Sequence, residues 1–196
     1  QLHGGVVSYK SDVGGTQRAY ELNINYFDAL NDPNADEPMD VQIDRFVTAH
    51  AILLAMMGVP GLYFHSLVGS RNWAEGVLQT GHNRTINRRK FQRHELLQVL
   101  SNPLTRQARV FFRLQHLLKI RRRHTAFHPH GSQQVINIAP ELFAVLRVSP
   151  DGQDKVLCLQ NVSGHDLSIV IDPAVFTVSR NLINGAYYES GPEIRV

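Results

Sequence analysis

Cysteine is almost missing from this sequence. Cys158 is its only thiol among 196 residues. A single cysteine excludes an internal disulfide and suits a reducing, cytoplasmic setting. Long apolar runs are missing too, and none approaches the roughly 20 residues needed to span a membrane. The opening QLHGGVV has neither the n-region nor the h-region of a signal peptide. No Walker loop or dinucleotide fingerprint is present. His124, His128 and His130 lie close together but have no cysteine or carboxylate cage, so they read as a linker between domains and not as a metal site. No internal repeat or low-complexity tract interrupts the chain.

Charge of one sign is scarce as well. The 20 Lys and Arg nearly balance the 17 Asp and Glu. The basic residues nevertheless cluster, at Arg84, Arg88, Arg89, Lys90 and Arg93, and again at Lys119–Arg123. Nucleic-acid platforms interleave such charge with exposed aromatics. Here Phe111 and Phe112 fall on or beside an apolar helix face, and the run KIRRRH ends a helix where basic residues complement the negative dipole. A nucleic-acid partner is therefore not expected.

The richest stretch is Val41–His65. Val41, Ile43, Phe46, Val47, Ile52, Leu53 and Met56 follow the helical period, and the apolar face widens along the helix. Asp40 is placed as an N-cap, Gly58 as the stop, and Pro60 prevents resumption. Gly61–His65 then reads as a short buried parallel strand. This helix–turn–strand order belongs to α/β architecture, including barrels. Chemistry in such folds gathers where strands end, which points to His65 and the polar loop after it.

Elsewhere, residues 1–18 read as loop, Tyr20–Tyr26 as a short strand, and residues 31–40 as a turn-rich linker. A short helix is expected at Trp73–Leu78, with longer ones at Phe91–Leu100 and Pro103–Arg123, Pro103 lying in a first turn. Past residue 125 the pattern becomes short strands: Val135–Ile138, Leu142–Val148, Val156–Val162, Leu167–Ile171, Phe176–Ser179 and Tyr187–Tyr188. Frequent turn signals between them suggest a small antiparallel sandwich. The domain boundary is placed between residues 125 and 126.

Site candidates are sparse. Glu21, Asp28 and Glu75 are the carboxylates near the expected site, and no spacing pairs them as glycosidase chemistry requires. Surface and capping roles explain each taken singly. His65 reads equally as a substrate contact or as a histidine satisfied by a loop carbonyl. Asn83, Arg84, Asn87 and Arg88 offer dense donors to hydroxyls, carboxylates or phosphates, and a solvated basic loop explains them as well. His165-Asp166 lies in a turn region.

Taken together, GGVVSYKSD, YELNINYFDAL, GVPGLYFHSLVGSRNW, TGHNRTINR and VLCLQNVSG, in this order, resemble the C-terminal part of sucrose phosphorylases and their relatives in glycoside hydrolase family 13. The resemblance implies the C-terminal portion of a (β/α)8 barrel, residues 1–125, followed by a small all-β domain, residues 126–196. It implies retaining transfer of a glucosyl unit to phosphate, giving α-glucose 1-phosphate, with no cofactor. The nucleophile, acid/base and third carboxylate are then expected upstream of Gln1, so that no catalytic residue lies in the chain, which is read as a fragment and expected to be inactive alone. Arg84 matches the family arginine on the glucosyl unit. Tyr20 and Glu21 match the tyrosine and glutamine of a mobile acceptor loop. Glu21 departs from the family glutamine: it loses two N–H donors and adds charge. That departure resembles the phosphorylases of glucosylglycerate, glucosylglycerol or phosphorylated sucrose, with Arg18 as the expected counter-charge. Expected partners are a small glucoside and phosphate, and either a second copy or the missing barrel half covering Phe46, Ile52 and Leu53. The runner-up readings are a hydrolase or transglucosidase of the same family, and a non-catalytic carbohydrate-binding or interaction domain.

Overall fold

The chain opens with a β-hairpin and not with a loop. In the computed structural model, which describes residues 2–172, 178–189 and 193–196, β1 (Val6–Ser11) pairs antiparallel with β2 (Gln17–Asn23). Asp12 closes the turn by accepting the N–H groups of Gly14 and Thr16, and Gly15 takes a positive φ of 80°. β1 and the start of β2 escape the alternation test because they carry no buried stripe. Ser8 lies opposite Glu21, and Tyr9 lies opposite Ala19. Tyr20 is therefore an extra residue in β2, and it interrupts the alternation of side chains there.

The strand expected over Tyr20–Tyr26 ends at Asn23, and Tyr26 begins helix α1 (Tyr26–Leu30). Helix α2 spans Met39–Ala55, so Asp40 lies within its first turn and is not its cap. Gly58 turns the chain away with φ 106°. The strand expected at Gly61–His65 is not formed. Phe64–Leu67 is a short helix, α3, and Tyr63 and Phe64 are about half exposed. A buried parallel strand exists only between paired neighbours, and none pairs here among the described residues. Local bonds from Leu67 N–H to Tyr63 and from Val68 N–H to Phe64 satisfy the backbone instead.

Helices α4 (Ala74–Thr80), α5 (Arg93–Ser101) and α6 (Arg106–Arg123) fall close to their expected places. Pro103 lies in the turn before α6 and not in its first turn, since Thr105 caps that helix by accepting the Ala108 N–H.

The described residues form two compact units, Gln1–Phe46 with Leu62–Phe112, and Val47–Gly61 with Arg113–Val196. In the first, Phe27 and Phe46 stack at 5.1 Å between ring centres within a core that includes Ile43, Val68 and Val110. Phe46 is fully buried there, which removes it from any surface that a partner covers.

The second unit carries a three-stranded antiparallel sheet, β3 (Ser132–Val135), β4 (Leu142–Val148) and β5 (Lys155–Asn161), in chain order. Two-residue β6 (Ser168–Ile169) pairs with β9 (Ile194–Arg195), and β7 (Val178–Arg180) pairs with β8 (Tyr187–Glu189). Most strands are shorter than expected or begin a few residues earlier. Residues 176 and 177 of the run expected at Phe176–Ser179 lie outside the described residues. Leu142, Ala144, Ile169 and Ile171 form the apolar centre of the sheet region. His124 is not merely linker. It pairs with Asp154, whose carboxylate also accepts the Ala126 N–H.

Arg147 is the largest fully buried side chain. Its guanidinium donates to the carbonyls of Ser132, Ala55 and His128 at 3.0–3.2 Å. Arg121 donates to Gly58 and Leu54 carbonyls at the end of the same helix. Arg147→Met keeps the bulk but leaves three carbonyls without donors. It should lower stability by about 3 kcal/mol, and urea unfolding of wild type and variant measures it. An unchanged midpoint would show that the carbonyls find other donors.

Candidate functional site

Two of the residues singled out in the sequence, Arg84 and Glu21, meet within the first unit. Arg84 lies in a 3-10 turn, Asn83–Asn87, and Glu21 lies at the bulge of β2. They are 63 residues apart, yet Arg84 Nε donates to Glu21 Oε2 at 2.9 Å. Hydrogen bonding and charge from Glu21, with a smaller contribution from Tyr20, hold the guanidinium above its usual range. Adjacent residues of a regular strand face opposite ways. The bulge breaks that rule at Tyr20, and Glu21 beside it takes Arg84. Lys10 lies over the Tyr20 ring at 3.4 Å.

The expected counter-charge is corrected here. Arg18 pairs with Asp12 at 3.2 Å, in the turn of the hairpin, and Arg84 takes Glu21. Sequence distance favoured Arg18, but in a hairpin it sits three residues along the strand on the way to the turn. The expected donors Asn83 and Asn87 are also reassigned. Asn83 donates to Ser8 Oγ at 3.0 Å, and Asn87 donates to the Ile24 carbonyl. They fasten the Arg84 turn to the hairpin.

Beneath this pair lies a buried polar layer. Asn25 donates to the carbonyls of Arg71 and Ile86 at 2.7 and 3.1 Å, and its own N–H is taken by Asn72 Oδ1. Asp28 accepts the Asn72 N–H at 2.6 Å and faces Arg71 Nε at 3.7 Å. Arg71 and Arg106 lie over the Phe27 ring. Burial raises the Asp28 carboxyl above its usual range, against the pull of Asn72, Arg71 and Arg106. Burial, with Arg71 nearby, brings Arg106 down to about 10. Neither Asn25 nor Asn72 was selected from the sequence. The available signal was the density of asparagine in YELNINY and SRNW, where a run of amides marks backbone carbonyls that need donors.

His65 is buried beside Tyr63, Phe64 and Phe91, and its Nδ1 meets Ser70 Oγ at 3.1 Å. It is satisfied by a loop hydroxyl, where a carbonyl was expected. Asp166 pairs with Arg195, and the turn around His165 is closed by Asn161 and Ser163. Among the described residues, no group of three or more His, Cys, Asp or Glu is arranged to hold a metal ion. No helix there is long and apolar enough to cross a membrane.

No family model matches the chain. Individual proteins do. It is 42% identical over 173 residues to a glucosylglycerate phosphorylase of Spirochaeta thermophila, covering 88% of this chain and 29% of that protein. It is 37% identical over 186 residues to a glucosylglycerate phosphorylase of Allomeiothermus silvanus, covering 95% of this chain and 32% of that one. The chain is related to the sucrose phosphorylase-like enzymes of glycoside hydrolase family 13. It spans under one third of the length of these family members. A solved sucrose 6F-phosphate phosphorylase of Thermoanaerobacter thermosaccharolyticum superposes with a TM-score of 0.65 at 19% identity, over 99% of this chain and 33% of that one. An Anoxybacillus α-amylase superposes with a TM-score of 0.62 at 13% identity, over 89% of this chain and 33% of that one. The chain thus has the fold of a region of (β/α)8-barrel enzymes.

Burial holds His65 below its ordinary value of 6.5. A depressed value means the neutral ring is favoured in the folded state. Its contribution is complete above pH 6.5 and is lost as pH falls through the lower folded value. Melting temperature should therefore decline between pH 7 and pH 5, and His65→Gln, which gains no proton, should decline less steeply. Parallel curves for the two proteins would show that His65 does not contribute.

Proposed function

We propose that this chain is the C-terminal part of an α-glucoside phosphorylase, with residues 1–125 completing a catalytic barrel and residues 126–196 forming a β-sandwich. In this reading the parent enzyme transfers a glucosyl unit, with retention, from a glucosylglycerate-type donor to phosphate. The nucleophile and acid/base belong to the remainder of the protein, and the reaction needs no cofactor and runs in the cytoplasm. The reading is supported above all by one observation: Glu21 and Arg84, drawn from two distant motifs, form one ion pair, with Tyr20 next to it at the bulge.

The pair also bears on the acceptor. An ionised carboxylate accepts hydrogen bonds and donates none, and it repels a phosphate dianion unless a cation compensates. Arg84 supplies that cation. Glu21 then remains available to hydroxyls of a small polyol-like acceptor, while Arg84 keeps the contact with the glucosyl unit that the resemblance implies. Leu53, Met56, Met57 and Val59 are exposed. That exposure supports coverage of the end of α2 by the rest of the barrel or by a second copy.

The deciding experiment assays the full-length protein for glucose 1-phosphate from glucosylglycerate or sucrose, with and without phosphate. Release that depends on phosphate is expected. Free glucose formed at the same rate without phosphate would instead favour a hydrolase, as the α-amylase likeness allows. The isolated 196-residue chain should give no product, because the catalytic groups act as a unit.

Two substitutions test the pair. Arg84→Ala should lower kcat/KM on every glucosyl donor by about a hundredfold. Near wild-type efficiency would make Arg84 a surface residue. In the synthetic direction, wild type should prefer glycerate or glycerol over fructose, and Glu21→Gln should move the ratio towards fructose. A wild type that prefers fructose, with no shift on substitution, would defeat the role given to Glu21.

A further inference from the structure

Ser8 is a small polar residue that no motif argument selects, yet it sits at the junction of the site. It lies in β1, half-buried, directly opposite Glu21 and on the near side of the bulge. Its hydroxyl oxygen accepts two amide donors. One is Asn23 Nδ2 at 2.9 Å, from the strand that carries Glu21. The other is Asn83 Nδ2 at 3.0 Å, from the residue before Arg84. Asn23 is itself buried, and its amide also donates to the Val6 carbonyl, so it has little freedom to follow a displaced partner. A hydroxyl oxygen has two lone pairs, and both are directed to amides here.

We propose that Ser8 is a positioning residue that fixes Arg84 against Glu21. The hydroxyl ties the strand beside the bulge to the start of the 3-10 turn. The Arg84–Glu21 pair is largely open to solvent, with side-chain exposures of 51% and 33%, so it does not hold the turn by itself. Asn87 anchors the far end of the turn to Ile24, and Asn83 on Ser8 anchors the near end. Loss of the Ser8 hydroxyl releases only the near end, where Arg84 sits. A methyl group added in a half-exposed strand is tolerated, so Ser8→Thr keeps the acceptor and Ser8→Ala removes it with little change in volume.

The catalytic consequence rests on the phosphorylase reading, while the geometric claim does not, and the test separates them. In the full-length protein, the rate of phenylglyoxal modification of Arg84 is followed by peptide mass spectrometry in wild type, Ser8→Ala and Ser8→Thr. Arg71 and Arg106, half-buried around the Phe27 ring, serve as internal references. Ser8→Ala should speed Arg84 modification by about three- to tenfold, as expected for loss of one hydrogen bond. Ser8→Thr should restore the wild-type rate, and the references should not change. On donor substrates, Ser8→Ala should lower kcat/KM by a similar factor in wild type and have no further effect in an Arg84→Ala background. Unchanged Arg84 labelling in Ser8→Ala overturns the proposal, as does equal acceleration at Arg71 and Arg106, which would mean general loosening. An equal loss of kcat/KM in both backgrounds also overturns it. If labelling behaves as expected but the wild type releases no glucose 1-phosphate, Ser8 keeps its role and the phosphorylase reading falls.

Discussion

The geometry of the site depends on one buried amide. Asn25 is 4% exposed, and it satisfies the carbonyls of Arg71 and Ile86 while giving its own N–H to Asn72. Those groups belong to the end of the hairpin, the start of the polar loop and the 3-10 turn. A buried polar group left without a partner costs about 1–3 kcal/mol. Displacing any of the three segments strands several such groups together, so one arrangement is strongly preferred. Asp28 extends the constraint by taking the Asn72 N–H, which fixes Asn72 from both its backbone and its side chain.

Buried charge is handled in two different ways. In the first unit, Arg71 faces Asp28, and Arg71 and Arg106 flank the Phe27 ring, while burial and the neighbouring Arg71 charge push Arg106 down. In the second, Arg147 and Arg121 meet carbonyls at the C-terminal end of α2, the negative end of that helix dipole. Arg121 thus serves a helix other than its own, although its place in KIRRRH suggested dipole complementarity within α6. The same arginines lie near Cys158, yet burial dominates and pushes its thiol up to about 11. That makes it an inert member of the core beside Ala55 and Phe127.

What was legible in the sequence follows from range. The body of α2, the placement of α6 and the strand β4 are set by local periodicity, and all three stand within a few residues of the expectation. Of the hairpin, only Tyr20–Asn23 was read as strand; β1 and the start of β2 were read as loop, because they are largely exposed and show no buried stripe. Gly61–His65 misled for the converse reason: an apolar run shows that burial suits it, but a strand also needs partners that local pattern cannot supply. Arg84, Glu21 and Tyr20 were singled out through motif resemblance. The pairing was not, because Arg18 is nearer in sequence while a bulge and a distant turn bring Arg84 nearer in space.

The division between a fixed base and an open top explains how such a site can exchange partners. The amides beneath are buried and bonded to backbone carbonyls and to one another, so they resist movement. The Glu21–Arg84 pair above them is exposed, and exposed ion pairs contribute little that a competing ligand must overcome. An incoming anion or hydroxyl can therefore replace one half of the pair without disturbing the groups that hold it in place. In a phosphorylase, phosphate and a sugar or glycerate must occupy the same acceptor region by turns. In the proposed phosphorylase, a carboxylate–guanidinium pair that closes on itself between those visits would keep both side chains ordered and offer each ligand a partner of the required sign.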